Sequence, residues 1–107
     1  MLAAGKLRHP VTLLAPTANR NEVGEEIPAW SPRAEVWAEA IALSGRELVW
    51  AQQQHEQVTW RVTIRYLEQV DSTWRVMLAS GQVLEIAGVT HDMETLESTT
   101  LYCLESR

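Results

Sequence analysis

Phenylalanine is absent from this chain of 107 residues, cysteine occurs once, and Lys and Arg number 9 against 14 Asp and Glu. Each shortage removes a class of protein. A lone thiol, Cys103, cannot close an internal disulfide, which fits a reducing compartment. Its place in an alternating apolar run reads as a small core residue rather than a nucleophile. The formal charge of −5 withholds the positive field that drives tight binding to phosphate backbones, so sustained DNA binding is disfavoured. No apolar stretch approaches the ~20 residues that cross a bilayer, and the N-terminus lacks the long apolar core of a secretory signal. No membrane partner and a cytoplasmic location are therefore expected.

Catalytic and metal motifs are missing as well. There is no Gly-x-Ser-x-Gly elbow, no phosphate loop and no His-Glu-x-x-His helix. His9, His55, His91 and Cys103 are scattered, without the close spacing of a zinc site. No two carboxylates are paired in an apolar setting that would split their pKa values. A small hydrolase using Ser44 and a histidine finds no supporting spacing. The expectation is a protein that is not an enzyme and holds no metal or cofactor.

What is present suits one domain spanning 1–107. Five tryptophans offset the missing phenylalanine, and the apolar and charged fractions of 46% and 21% are ordinary for a globular chain. Val11, Leu13 and Ala15 alternate between Pro10 and Pro16 as a short strand. Residues 17–33, with Pro28, Pro32, Gly24 and the acidic Glu22, Glu25 and Glu26, form a long loop or a loose hairpin arm. A segment that long is uncommon without a task. It reads either as a mobile surface loop or as an arm that orders on a partner, with Trp30 as its interface anchor.

Strand two is expected over residues 35–42, with Val36, Ala38, Ala40 and Ala42 on one face and Trp37, Glu39 and Ile41 on the other. Ser44-Gly45-Arg46-Glu47 fits a capping box, with Ser44 as N-cap and the Glu47 carboxylate reaching back, while Leu43 and Leu48 occupy staple positions. The helix, residues 44–55, has a thin inward stripe of Leu48, Ala51 and His55, and Trp50 projects elsewhere, onto a second surface or a neighbour. Val58, Trp60, Val62, Ile64 and Tyr66 form the clearest period-two face, opposite Thr59, Arg61, Thr63 and Arg65. Arg61 and Arg65 are either solvated or paired with Glu39 across the sheet. A hairpin through Ser80-Gly81 and a last strand over 96–104 follow. About six short strands with one inserted helix indicate a small, mostly antiparallel β-barrel carrying a long loop or hairpin arm.

Several fragments share an order and spacing. They are Gly5-Lys6-Leu7-Arg8-His9 ahead of the first strand, Trp30 after the long segment, Val36-Trp37-Ala38-Glu39, Leu43-Ser44-Gly45-Arg46-Glu47-Leu48, Val62-Thr63-Ile64-Arg65-Tyr66, Arg75-Val76 and Leu84-Glu85-Ile86. In these the chain resembles the head-tail joining, head-completion or stopper proteins of long-tailed bacteriophages over most of its length. The family often has histidine at the position of Trp60 and a basic residue at that of Pro10. The resemblance implies a structural protein of a virion or prophage, assembled in the host cytoplasm and placed at the head–tail interface. Its implied partners are itself, as a ring of about six or twelve subunits, the portal-adaptor connector, and a tail terminator or tail-completion protein. DNA would meet it only in passage through a channel that the ring closes.

Candidate interface residues under this resemblance are Lys6, Arg8 and His9, a basic patch otherwise read as a solvated terminus, the arm residues Glu22, Glu25, Glu26 and Trp30, and Arg46 and Trp50 on the helix. The rival is a small nucleic-acid-binding barrel with tryptophans stacking bases. The acidic balance and the place of Trp60 in the apolar alternation weigh against it.

Overall fold

Burial alternates along most extended segments, and that period of two builds six strands around one helix. They are β1 (His9–Arg20), β2 (Glu26–Ala42), β3 (Trp60–Arg65), β4 (Arg75–Leu78), β5 (Val83–His91) and β6 (Ser98–Glu105), with α1 (Gly45–Gln54) between β2 and β3. The computed structural model describes residues 7–20, 22–92 and 94–105. The strands close into an antiparallel barrel in the order β1-β2-β3-β6-β5-β4. The small antiparallel barrel with one inserted helix expected from the sequence is the fold observed.

Inward residues of every strand fill the barrel. Val11, Leu13, Ala38, Val62, Ile64, Val76, Leu84, Ile86, Leu101 and Cys103 are buried together, with Val70 and Trp74 closing one part of the cluster. Ala38 lies opposite Ile64, a small side chain facing a large one, as a tapering barrel interior requires. A second cluster, Leu43, Ala51 and Val58 with Leu48, Ala87 and Tyr102, seats the helix on the outer face of β5 and β6. Leu43 and Leu48 thus meet as a staple would have them.

Two of the strands are far from short. β1 continues past Ala15 to Arg20, and β2 begins at Glu26 instead of Glu35. Residues 17–33 are accordingly a hairpin and not a loop: Thr17 lies opposite Ala29 and Arg20 opposite Glu26, with Gly24 at φ 83° in the turn region. The physical reason lies in the register. Pro16, Pro28 and Pro32 all fall in the same alternate class of pairs, opposite Trp30, Ala18 and Leu14. That is the class whose amides point away from the partner strand, where a missing donor does not break the ladder.

β1 leaves β4 at Leu14, and β2 pairs with β3 only from Ala38 onward. Beyond these points, among the described residues, the two strands pair with each other alone. A bulge at Leu13/Leu14, which skips Arg33, sits where the arm departs and adds twist there. Six arm residues at ~3.3 Å each carry the tip roughly 20 Å outward, and the molecule measures 49 × 28 × 26 Å.

The capping box is not formed. Ser44 occupies the N-cap with extended backbone but makes no side-chain cap hydrogen bond. Gly45 enters the helix at φ 58°, and the Glu47 carboxylate, which a capping box sends back to the N-cap amide, is taken by Arg61 instead. The helix starts through backbone bonding, Leu48 N–H to the Ser44 carbonyl at 3.3 Å.

Candidate interface surfaces

The chemistry-bearing side chains inside the barrel are committed to structure. Cys103 is buried, its Sγ 3.6 Å from the Leu101 carbonyl, and burial pushes its thiol up to about 12. Thr99 accepts the Leu67 amide at 3.0 Å and meets His91 Nδ1 at 2.9 Å. Asp92 ties the β5–β6 turn by accepting from the Thr95 hydroxyl and from the amides of Glu94 and Thr95; these hydrogen bonds hold its carboxyl below the ordinary value. Among the described residues no three His, Cys, Asp or Glu side chains gather as a metal would need.

The outside of the barrel carries the candidates. Arg8 and His9 are exposed at the start of β1; Lys6 lies outside the described residues. Glu22 and Glu25 are exposed at the arm tip, while Glu26 is placed in β2 by its backbone only. Between the two described acids stands Val23, 77% exposed.

Trp30 is not the free anchor its position in the chain suggests. Its Nε1–H donates to the Thr73 carbonyl at 2.8 Å, and the Arg75 guanidinium lies 3.7 Å above its ring. Arg75 also reaches Glu85 at 3.1 Å. The tryptophan is half-buried and clamps the arm's base to the barrel, because β4 and its preceding turn lie beside the point where β1 leaves the sheet.

Arg46 and Trp50 are exposed on α1, one turn apart, and Gln54 extends the same stripe. Trp50 leans on Tyr102, ring centroids 5.9 Å apart at 58°. A pocket of about 140 Å³ opens beside them, lined by Trp50, Ala51, Gln54, His55, Thr90 and Tyr102. On the helix's other flank Arg61 bridges Glu47 and, at 3.6 Å, Glu39, so of the two states left open for Arg61 the paired one is realised.

The sequence reading missed Trp37. It is 60% exposed on β2, with Ile41 further along the same face. The signal was available: strand alternation that turns Val36 and Ala38 inward must turn Trp37 outward. Trp60 and Trp74 belong to the core, and Arg61 and Arg75 are both occupied by carboxylates. A basic sheet face with free aromatic rings, the platform of single-strand binders, does not form around these residues.

A profile of the phage head completion protein family matches residues 2–106. The chain belongs to that family. Head completion protein gp7 of Enterobacteria phage HK97 is 32% identical over 88 residues, 78% of this chain and 79% of that protein. Among solved structures, the solution structure of protein SF1141 from Shigella flexneri 2a superposes with a TM-score of 0.79 at 23% identity, covering 98% of this chain and 97% of the other. A chain of the virion of a native gene transfer agent particle has a TM-score of 0.60 at 15% identity, over 90% and 93% of the two chains. Those two likenesses speak for the fold. Membership of the head completion family makes the protein a structural component of the phage head, in a family of virion proteins rather than enzymes.

Proposed function

We propose that this head completion protein assembles as a ring on the portal-adaptor connector of a filled head, closes the DNA channel after packaging, and offers the docking surface for the tail. Assembly takes place in the host cytoplasm. The observation that carries the reading is the arm: a family member whose barrel projects a two-stranded hairpin well beyond its own core. An isolated subunit gains little by ordering such an element, since a lone hairpin is marginal in water. Within a ring, each subunit needs two different complementary patches to make head-to-tail contacts, and an arm with a barrel flank supplies them.

The charge balance supports a channel wall. At −5 overall, the ring would let DNA pass without gripping it. The exposed acids Glu22 and Glu25 add to that repulsion on any arm surface facing the lumen. Contacts above and below, with connector and tail, fall to the basic start of β1 at Arg8 and His9 and to the outward Trp37 face.

Electron microscopy of particles made by the parent phage or prophage without this gene tests the proposal. Free tails beside tailless heads, many emptied of DNA, are expected. Normal virions would overturn it.

A further inference from the structure

We propose that the acidic arm tip of one subunit docks on the helix flank of a second copy, with Val23 entering the pocket between Trp50 and Tyr102 and Glu22 facing Arg46. The inference deepens the ring reading above and rests on it. Three observations lead to it.

The first is chemical fit. The tip presents an aliphatic side chain, Val23, flanked by two exposed carboxylates, Glu22 and Glu25. The helix flank presents the inverse: an aromatic-walled pocket of about 140 Å³ with Arg46 one turn away on the same stripe as Trp50 and Gln54. Cavities on the order of 150 Å³ take a benzene-sized group, so one branched aliphatic side chain fits. A second groove on the barrel, lined by Pro10, Thr12, Met77 and Leu78, carries Glu35 on its wall and would repel an acidic tip.

The second is that a subunit cannot serve itself. The arm grows from β1 and β2, whereas α1 rests on β5 and β6, across the barrel. The helix moreover follows Ala42, the end of β2 opposite the arm. Donor and acceptor patches therefore face apart on one molecule, which makes the contact head-to-tail between copies.

The third is that the arm's edges are poor templates for strand addition. Pro16 on β1 and Pro28 and Pro32 on β2 remove donors at outward positions along both edges. Pairing with a neighbour's sheet is interrupted at these positions, which favours the tip as the binding element.

Disulfide trapping in assembled particles tests this. The parent phage or prophage is made to carry Val23→Cys and Gln54→Cys in the same chain, both at exposed sites; Cys103 is buried and stays out of the chemistry. After mild oxidation, a ladder of dimers, trimers and larger species is expected on a non-reducing gel, with none from either single variant. Adding Arg46→Glu should lower ladder yield several-fold, and Glu22→Arg on top of it should restore the yield. Particles that contain the chain but give no ladder, or dimers from a single variant, would overturn the docking and leave the head-completion reading standing. Particles that lack the chain would overturn both.

Discussion

The imidazole of His55 packs directly on Gly88, so closely that a β-carbon added to Gly88 would run into the ring nitrogen. His55 is the C-cap of α1, and Gly88 follows the β-bulge at Ile86/Gly88 on β5. The bulge and the missing side chain together let the helix end settle against the barrel. Gly88→Ala should cost about 1–3 kcal/mol through overpacking, read as a lower urea midpoint with unchanged slope. Adding His55→Ala should recover part of that loss, because it removes the atoms that clash. Additive losses in the double variant would show that the two residues are not coupled.

Trp30 holds the arm's root through one indole hydrogen bond and one stacked guanidinium. A partly exposed cation–π pair contributes on the order of 0.5–1 kcal/mol, small beside the barrel core but large for a two-stranded ribbon. Trp30→Ala should therefore leave the barrel folded while lowering amide exchange protection selectively in residues 15–20 and 26–32. Uniform loss of protection across β3, β5 and β6 would instead make Trp30 a core residue.

The barrel was legible because burial and chemistry agree there: Val62 and Ile64 alternate with Arg61, Thr63 and Arg65, and both end inside with Leu84, Leu101 and Cys103. The arm was only half legible. Prolines and acids in 17–33 read as loop or arm, and only the pairing register shows that every proline falls where no ladder donor is needed. The site followed the same division. Exposed residues such as Arg46 and Trp50 follow from helical spacing, but the pocket beside them depends on Tyr102 and Thr90, distant in sequence and adjacent only through barrel closure. The hold of Trp30 on the barrel was not legible, because its partners, Thr73 and Arg75, arrive from a different hairpin.

Ser44 sits at the N-cap without using its hydroxyl as a cap. Replacing a working N-cap serine by alanine costs typically ~1 kcal/mol; here Ser44→Ala should cost less than about half of that. The expensive position is its neighbour. Gly45 has φ 58°, and a side chain there enters a left-handed conformation that costs roughly 1–2 kcal/mol. Thermal or urea unfolding of Ser44→Ala and Gly45→Ala should thus rank the glycine variant as the less stable. The reverse order would mean that the hydroxyl caps the helix in solution.

Cys103 offers a pH-dependent readout of core integrity. Burial raises its thiol pKa to about 12 in the folded chain, against 9.0 for an ordinary thiol. Because the folded value is the higher one, the folded state holds the proton longer. The contribution to stability is complete below pH 9 and is lost progressively as pH rises toward 12. Unfolding midpoints should therefore fall between pH 9 and 11, and Cys103→Ala should fall less over that interval, though it starts lower because it leaves a small cavity among Val62, Ile86 and Leu101. In the same window a thiol reagent should label the native protein only at the rate of global opening, since the thiolate is the reactive form and the buried site withholds it. Rapid labelling of the folded protein at pH 8 would place Cys103 outside the barrel interior and contradict the inward register of β6.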